Sequence, residues 1–406
     1  MKLFYTLGIN LYSLVVRIAS IWNPKAKKWV NGRKETWEKL ETFKSIISNE
    51  KSTKKTYWFH CASLGEFEQG RPLIEQIKQR ESCFVVISFF SPSGYEIRKN
   101  YELADLVIYL PNDSKKNAQK FYDLIQPDLV FFVKYEFWAN YIFEAKKRQI
   151  PLYSVAAVFR KNQLFFKFYG GYMRKVLNSI TKIFVQDQAS LELLQSINIT
   201  AIIAGDTRYD RVMNNSKNAK KFELVTAFCE DKKVIVLGSV WPDDLKVIGQ
   251  SICKLSENYK VIIAPHEIDE THLIHVESIF ESTQTVRYSR YKSDQEINVL
   301  VIDNIGMLMH LYGYADIAYV GGAFKTGLHN ILEPASFGLP VIFGPLHSKF
   351  PEAQLFIDNG IGFSIKDSNE FSSLFEHISK TRLNEKVSNF MISKTGATQI
   401  ILNELS

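Results

Sequence analysis

The chain has 406 residues, and its ordinary globular composition, 46% hydrophobic and 23% charged, excludes a disordered protein. Because a single hydrophobic core usually stops growing below this length, we expect two domains. The formal net charge of +7 suits a phosphate-bearing substrate or an anionic membrane surface and does not decide between them.

The first predicted element is an apolar amino-terminal segment, residues 3–22, followed by a basic cluster. We predict that residues 1–24 form a membrane-anchor helix, because the apolar length nears the roughly 20 residues that span a bilayer. Arg17 would cost on the order of 2–3 kcal/mol at mid-membrane, so a helix lying in the interface is an equal alternative, and a buried first helix is a further one. A cleaved signal peptide fits less well. The basic residues after the anchor, which favour a cytoplasmic globular part, are Lys25, Lys27, Lys28, Arg33 and Lys34.

Short apolar runs alternate with helical patterns after the anchor and predict an α/β protein with two doubly wound, Rossmann-like domains facing a cleft. The predicted strands of the first domain, residues 25–210, are 57–60, 84–88, 106–110, 129–133, 152–155 and 183–185. A polar stretch, residues 211–221, is predicted to be the linker. The predicted strands of the second domain, residues 222–406, are 234–237, 261–264, 299–302, 317–320, 341–343 and 363–365. We leave open that the last helix of this domain packs back on the first domain.

The cysteines indicate a reducing compartment. Cys61, Cys83, Cys229 and Cys253 show no CxxC spacing, which is typical of free thiols. No HExxH, paired CxxC or DxD signature is present, so we predict no metal site, and neither a Walker A nor a GxGxxG motif occurs. We therefore predict no cofactor and no nucleic-acid partner.

A glutamate follows the first predicted strand. In the segment that runs from His60 through Ser63 and Gly65 to Glu66, the glycine is expected to permit a tight turn. Glu66 would then face the cleft at the start of the next helix. A carboxylate there could act as a general base, or it could only interact with the helix dipole.

Other strand ends of the first domain carry polar candidates. Ser91, Ser93 and Gly94 form a turn into a helix whose hydroxyls and backbone donors could hold an anion. Glu136 stands among aromatic residues, which suggests contact with a sugar or a lipid, although a core aromatic cluster is an alternative.

Two cations at strand ends, Arg160 and Arg208, complete the candidates of the first domain. Each could clamp a phosphate or a carboxylate with two hydrogen bonds. The alternative for each is a surface ion pair.

The most informative motif of the second domain begins with Gly321 and Gly322 and continues to His329, Asn330 and Glu333. Glycines at a strand end let backbone N–H groups approach a ligand, and the next helix N-terminus suits a phosphate. Glu333, in the first turn of that helix, could accept hydrogen bonds from a ribose diol. The alternative is a tight turn with a capping carboxylate.

Two further strand ends of the second domain carry candidates. Gly238 and Ser239 offer backbone N–H groups to a nucleotide phosphate. Pro265 precedes His266, which could contact a base or a phosphate, or could be a solvated loop histidine.

In chain order, the motifs HCASLGE, SPSG, YEFWAN, GDTRYD, GSVWPDD, APHE and YVGGAFKTGLHNILEPASFGLPVIFGP resemble those of the 3-deoxy-D-manno-octulosonic acid (Kdo) transferases of lipopolysaccharide assembly. The resemblance covers nearly the whole chain. It extends to residues 31–35, which resemble the segment after that family's amino-terminal membrane helix.

The resemblance implies a GT-B architecture, CMP-Kdo as donor and an acylated, phosphorylated lipid A precursor as acceptor. It also implies an inverting, metal-independent reaction at the cytoplasmic face of a Gram-negative inner membrane. Rival interpretations are another GT-B enzyme that uses a nucleotide sugar, such as an epimerase, and a non-catalytic lipid-binding protein.

The resemblance also implies roles for single residues. Glu66 would be the general base and Glu136 would assist on the acceptor side, with Arg160 and Arg208 as cationic clamps. The residues that would hold CMP are Ser239, Gly322, Asn330 and Glu333. In two places the chain departs from proteobacterial members: Pro265 stands where they usually have arginine, and Lys134 where they often have an acidic residue.

Overall fold

The computed structural model describes residues 2–48, 53–230, 232–325 and 327–405. These residues form two compact units. Unit 1 contains the chain up to Asp210 together with the residues from Gly396 onward, and unit 2 is Arg211–Thr395. The stretch predicted as a linker is largely helical, because the helix Thr207–Lys217 runs through the boundary.

Among the described residues, unit 1 holds one sheet of seven parallel strands in the order β3-β2-β1-β4-β5-β6-β7. The strands are β1 (Lys55–Cys61), β2 (Cys83–Phe89), β3 (Leu106–Tyr109), β4 (Leu129–Val133), β5 (Leu152–Ala157), β6 (Lys182–Val185) and β7 (Ile202–Ile203). The helices are α1 (Lys2–Ala19), α2 (Pro24–Gly32), α3 (Thr36–Ser48), α4 (Leu64–Arg80), α5 (Pro92–Arg98), α6 (Lys115–Ile125), α7 (Ala139–Lys147), α8 (Gly171–Leu177), α9 (Gln188–Gln195) and α10 (Thr207–Lys217).

The described part of unit 2 repeats this architecture with the strand order β10-β11-β9-β8-β12-β13-β14, again parallel. The strands are β8 (Val234–Val240), β9 (Lys260–Pro265), β10 (Thr285–Arg287), β11 (Val299–Val301), β12 (Ile317–Val320), β13 (Val341–Phe343) and β14 (Gly362–Ser364). The helices are α11 (Glu223–Cys229), α12 (Pro242–Leu255), α13 (Glu270–Ile279), α14 (Leu308–Leu311), α15 (Leu332–Ala335), α16 (Pro351–Asp358), α17 (Ser368–Lys380) and α18 (Asn384–Ser393).

Each sheet has a point at which the strand order reverses. In unit 1 this switch point lies between β1 and β4, and in unit 2 it lies between β8 and β12. Ligands of doubly wound sheets bind outside the carboxyl ends of the strands at such points. The predicted two-domain α/β class is confirmed, and the topology marks where each unit offers a ligand site.

Helices cover both faces of each sheet, which explains the apolar strand sequences. In unit 1, Trp58 belongs to the core on one face of the sheet and its neighbour Phe59 to the core on the other, and both are fully buried. The last helix, α19 (Ala397–Asn403), adds Ile401 to the second of these cores. Asp210 fixes the start of this helix by accepting from the Thr398 backbone N–H and from the Thr398 hydroxyl, each at 2.6 Å.

The first helix, α1, lies on unit 1 by one side only. The Tyr5 hydroxyl donates to Asp113 at 2.5 Å, and the Asn112 amide donates to the Ser13 hydroxyl at 2.8 Å. Ser13 is the one buried residue of α1, so the alternative of a buried first helix is wrong. The exposed apolar side chains of this segment are Leu3, Phe4, Leu7, Leu11, Leu14, Val15, Ile18, Ile21 and Trp22.

The helices near the amino terminus were compared with the length and apolar composition that a membrane span needs. Among the described residues no single helix is long and apolar enough to cross a membrane. Taken together, the helix Lys2–Ala19 and the stretch Pro24–Ser48 are long and apolar enough, but the chain bends by 119° between them.

Candidate active site

Glu66 lies at the switch point of unit 1, directly after β1. Ser63 is the N-cap of α4, and Glu66, the third helical residue, turns back toward it. The carboxylate accepts hydrogen bonds from the backbone N–H of Ala62 and, at 3.1 Å, from that of Ser63. The side chain therefore caps the helix, as the alternative interpretation held. A capping carboxylate can still act as a general base.

The pKa of Glu66 suits a base at neutral pH. Burial, with 9% of the residue exposed, and then the negative charge of Glu136 raise this pKa to about 7. The two backbone N–H groups and the charge of Lys134 oppose this rise. A general base works best when its pKa lies near the operating pH, so this carboxylate is placed to accept a proton.

The expectation that Gly65 makes a tight turn is wrong. Gly65 is the second residue of α4, its φ angle is not positive, and a Cβ atom added there would meet nothing within 4 Å. The turn is made by Ala62 and Ser63 instead. The missing side chain of Gly65 leaves open space beside Glu66 in the first turn of the helix.

Glu136 follows β4, the strand beside β1, and contacts two rings. Its Oε2 atom accepts a hydrogen bond from Trp138 Nε1 at 2.6 Å and lies 3.1 Å from His60 Nε2. Trp138 Nε1 is also 2.9 Å from His60 Nε2. The aromatic residues around Glu136 therefore hold its carboxylate by polar contacts, so they are more than the core cluster of the alternative interpretation.

His60 and Ser88 complete this network, and neither side chain was predicted to have a role. His60 is fully buried in β1, and its Nδ1 lies 3.1 Å from the Ser88 carbonyl oxygen and 2.9 Å from the Ser88 hydroxyl. Since a carbonyl oxygen only accepts, Nδ1 carries a proton in this geometry. A polar residue in an apolar strand was the signal available in the sequence.

The turn after β2 is held by its own side chains. Ser91 is the N-cap of α5, and its hydroxyl lies 2.9 Å from that of Ser93 and accepts from the Ser93 backbone N–H at 3.2 Å. A Cβ atom at Gly94 would lie 2.2 Å from the ring of Phe89. Gly94 is therefore required by packing.

The two predicted cationic clamps, Arg160 and Arg208, have different surroundings in the structure. Arg208 makes an ion pair with Asp206, donating from Nε at 2.9 Å and from Nη2 at 2.7 Å. Arg160 follows β5 on the carboxyl edge of the same sheet and is exposed. Its backbone N–H donates to Gln163 at 3.0 Å. Arg208 thus matches the ion-pair alternative, and Arg160 is the better placed to meet a ligand.

In unit 2 the glycine pair after β12 is bonded within the protein. The Gly321 N–H donates to the Gly238 carbonyl and the Gly322 N–H to Asp244, each at 2.9 Å. A Cβ atom at Gly321 would lie 2.5 Å from the Ser239 carbonyl oxygen, and Gly322 has a φ of +94°. Both glycines are therefore needed by the turn itself. Because their N–H groups already have acceptors, a phosphate would need other donors.

Asp244 organises this turn and was not singled out from the sequence. It is fully buried at the start of α12 and accepts from the Tyr319 hydroxyl at 2.7 Å and from the Trp241 backbone N–H at 2.8 Å. With the bond from Gly322, it joins the ends of β8 and β12 at the switch point. The sequence signal was its position three residues after the N-cap of a helix.

Three rings stack beside this turn. His266 lies between Trp241 and His329, with ring centroids 4.5 Å and 4.4 Å apart. Trp241 Nε1 donates to His329 Nε2 at 2.9 Å. Burial and then the neighbouring His266 lower the pKa of His329 to about 4, so His329 is neutral at physiological pH. His266 is thus an exposed residue of the loop after β9, as the alternative interpretation held, and its ring is stacked between two others.

The short helix predicted in this motif forms, with Glu333 in its first turn as expected. It is α15, Leu332–Ala335, a single turn that begins ten positions after Gly322. The expectation that its N-terminus holds a phosphate is not supported, because so short a helix has little dipole. Glu333 lies in this turn, where burial raises its pKa and the charge of Arg211 opposes the rise. The Asn330 amide donates to Glu333 at 3.0 Å.

The remaining donor-side candidates lie at the ends of β8 and β9. A Cβ atom at Gly238 would lie 2.0 Å from the Tyr312 hydroxyl, so this glycine permits a close approach inside the unit. Ser239 has a φ of +51°, and Pro265 is paired with Val240 where the register of β8 and β9 shifts. The strained Ser239 lies at the switch point, beside the glycine pair.

Glu267, Asp269 and His272 form a group with metal-ligand chemistry near the start of α13. His272 Nε2 lies 2.9 Å from Glu267, and His272 Nδ1 lies 2.5 Å from Asp269. The two ring nitrogens point to different carboxylates, which is the geometry of an ion pair. This group therefore adds nothing to the candidate active site.

The fold first defines a class, the GT-B architecture of two doubly wound α/β units. The solved structure of UDP-GlcNAc 2-epimerase from Neisseria meningitidis bound to UDP-GlcNAc matches with a TM-score of 0.60 and 17% sequence identity. The match covers 87% of this chain and 99% of that chain. At this identity the likeness shows the fold alone.

Sequence comparisons narrow the class. Residues 34–211 match the family described as 3-Deoxy-D-manno-octulosonic-acid transferase (kdotransferase). The 3-deoxy-D-manno-octulosonic acid transferase of Aquifex aeolicus is 25% identical over 341 residues, which are 82% of this chain and 88% of that protein. That of Haemophilus influenzae is 28% identical over 364 residues, 85% of this chain and 83% of that protein. The chain is therefore a relative of the Kdo transferases and a glycosyltransferase, and the resemblance found in the sequence is confirmed.

Proposed function

We propose that the chain transfers Kdo from CMP-Kdo to a phosphorylated, acylated lipid A precursor in lipopolysaccharide synthesis, with inversion, without a metal and with Glu66 as general base. The observation that carries the proposal is the buried Glu66 at the switch point of unit 1, whose pKa is raised to about 7. The relationship to the Kdo transferases supplies the donor sugar and the class of acceptor.

The reaction is a single displacement. The acceptor hydroxyl gives its proton to Glu66 while its oxygen forms a bond to the anomeric carbon of Kdo. The bond between that carbon and the phosphate oxygen breaks, and CMP leaves with the electron pair. Attack opposite to the leaving group inverts the anomeric configuration.

Unit 1 is assigned to the acceptor in this proposal. Glu136 contributes its charge, which helps to raise the pKa of Glu66 and so strengthens the base. Arg160 is exposed on the same edge of the sheet and is available for an anionic group of the substrates. The contact with Asp206 makes Arg208 the weaker candidate for that task.

Unit 2 is assigned to CMP. The stack of Trp241, His266 and His329 offers a flat edge of rings to a pyrimidine base. Glu333 is the proposed partner of the ribose diol, held in place by Asn330. The hydroxyl of Ser239 stands in for the glycine N–H groups as a donor to the phosphate.

The proposal places the protein on the cytoplasmic face of the inner membrane. The exposed apolar side chains of α1 suit insertion into the interface, and the lysines of α2 suit anionic lipid headgroups.

The test is a transfer assay with purified full-length protein, CMP-Kdo and a tetraacyl disaccharide bisphosphate, with the products weighed by mass spectrometry. We expect a product heavier than the acceptor by one or more Kdo residues. Thermal unfolding with CMP, CDP or UDP added separates the rival enzymes: CMP should protect best. Better protection by UDP, or the absence of a Kdo product, contradicts the proposal.

A further inference from the structure

A cavity of about 550 Å³ lies in unit 1 between the first helices and the end of β3. It is outside the site described above. Its polar lining consists mainly of cationic and neutral donors, and no carboxylate lines it. Among these donors are Arg17, Ser20, Arg33, Lys34, Asn112 and Asn117.

Arg33 is the inner cation of this cavity, and neutral groups hold it. Its guanidinium donates to the carbonyls of Leu110 at 3.2 Å, Trp29 at 3.1 Å and Phe90 at 2.9 Å. The guanidinium carbon also lies 3.6 Å from the centre of the Trp29 ring. Burial lowers the pKa of Arg33 to about 9, so the group is charged at neutral pH. A guanidinium has five N–H donors, and three are used here, which leaves two for a ligand.

Arg17 and Lys34 are exposed at the opening of the cavity. Among the residues that the structure describes, neither they nor Arg33 has a carboxylate within ion-pair distance, and Glu35 pairs with Lys39 instead. Three cations around one cavity repel each other unless an anion enters it. An arginine fork beside two further cations is an arrangement that recognises phosphate.

The surroundings of the cavity indicate what carries the phosphate. Ile18 and Ile21, next to Arg17 and Ser20 in the sequence, are 48% and 80% exposed. A ligand with a phosphate head and acyl chains could place its head among the cations and its chains along these side chains. A free, soluble phosphate has no apolar group that could contact Ile18 and Ile21.

The cavity is also connected to the candidate base. Arg33 binds the Phe90 carbonyl, the next residue, Ser91, donates its N–H to the Ala62 carbonyl at 2.7 Å, and the Ala62 N–H donates to Glu66. These segments follow β2 and β1, which are neighbouring strands about 4.8 Å apart. The loop that holds Arg33 is therefore hydrogen-bonded to the loop that holds Glu66.

We propose that this cavity binds the phosphate group of a lipid, with Arg33 inside and Arg17 and Lys34 at the opening. The inference uses the membrane orientation of the proposed function, but neither its donor nor its reaction. The lipid is either a phospholipid of the bilayer or the phosphorylated acceptor, and the two are separated by the experiment.

The first measurement is flotation of the full chain with phosphatidylcholine vesicles that contain phosphatidic acid. The double variant Arg17→Gln, Lys34→Gln is compared with Lys115→Gln, Lys116→Gln, which removes the same charge from exposed residues outside both the cavity lining and α2. We expect the cavity variant to lose about tenfold more affinity than the control, the effect of one or two charge-assisted hydrogen bonds. Equal losses in the two variants would mean diffuse surface charge and would overturn the proposal.

The second measurement is the KM for a bisphosphate and for a monophosphate acceptor in detergent micelles. If the acceptor is the ligand, the cavity variant raises the KM for the bisphosphate and erases its advantage. If a bilayer phospholipid is the ligand, both KM values stay while vesicle binding falls. A wild-type protein that binds the vesicles through the cavity but transfers no Kdo would contradict the proposed function alone.

Discussion

Glu136 accepts a hydrogen bond from Trp138 and contacts His60 Nε2 at 3.1 Å, and its charge raises the pKa of Glu66. The two carboxylates follow neighbouring strands, β4 and β1, at the switch point of unit 1. Since Glu136 is held by donors and Glu66 is buried, their environments divide the roles. In the proposed reaction, the charge of Glu136 raises the proton affinity of Glu66, and Glu66 accepts the proton.

The first prediction concerns the proposed general base, Glu66. Glu66→Gln should lower kcat by roughly two to four orders of magnitude with little change in KM, because proton acceptance is lost and the amide oxygen still accepts from the helix N-terminus. The matched control is Glu75→Gln in the same helix, where the carboxylate only pairs with Arg71 at 2.6 Å. Transfer rates measured by mass spectrometry decide the matter. Equal activity of the two variants would exclude Glu66 as the base.

The second prediction concerns pH. Glu66 must be deprotonated to act, so kcat/KM should rise with pH and level off above about 7, the pKa of this group. Glu136→Gln removes the charge that helps to raise this pKa, so the rising limb should move to lower pH. A pH profile of both proteins tests this. An unmoved limb would show that the limb belongs to another group.

Features that depend on neighbouring residues in the sequence could be predicted, and contacts between distant residues could not. Continuous apolar runs predicted each strand that is buried on both faces, whereas β7 and β10 are partly exposed edge strands and lack such a run. Glu66 could be found because its motif is local. His60 depends on Ser88 and Glu136, and Asp244 depends on Tyr319 and Gly322, so their partners come from other strands that only folding brings together.

The glycine motif was assigned a role that its contacts in the structure do not support. Its spacing predicted a phosphate cradle, but Gly321 and Gly322 donate to acceptors inside the unit. A sequence gives the freedom of a glycine backbone and does not give the acceptor that its N–H group finds.

The third prediction follows from the neutral His329. Its pKa is about 4 in the folded state and about 6.5 when unfolded, so the unfolded chain binds more protons between these values. The contribution of His329 to stability is therefore present above pH 6.5 and lost as the pH falls toward 4.

Urea unfolding of wild type and His329→Gln at pH 5 and pH 7.5 checks this contribution. The difference in unfolding free energy between the two pH values should be smaller in the variant. Glu66, whose pKa is raised, acts with the opposite sign near pH 5 to 7, but it is common to both proteins and cancels in the comparison.

The fourth prediction is structural. Asp244→Ala should destabilise unit 2 by about 3 kcal/mol, because it leaves the buried N–H groups of Trp241 and Gly322 and the Tyr319 hydroxyl without their acceptor. The loosened turn should also weaken CMP binding. Asp243→Ala is the control, since that neighbouring side chain only approaches Lys246 and Lys325 at 3.5 Å. Calorimetry of CMP binding and thermal unfolding of both variants test the pair.

The last prediction concerns α1. Leu11 and Leu14 are 62% and 54% exposed, whereas Tyr5 and Ser13 hold the other side of the helix to unit 1. Leu11→Glu with Leu14→Glu should abolish flotation with vesicles, because two charges cannot enter the apolar layer, and should leave the unfolding temperature unchanged. Ile97→Glu with Ile400→Glu, exposed isoleucines of α5 and α19, is the matched control and should keep vesicle binding. Loss of binding in both double variants would mean that added negative charge anywhere repels the vesicles, and retention in both would mean that α1 is not the membrane surface.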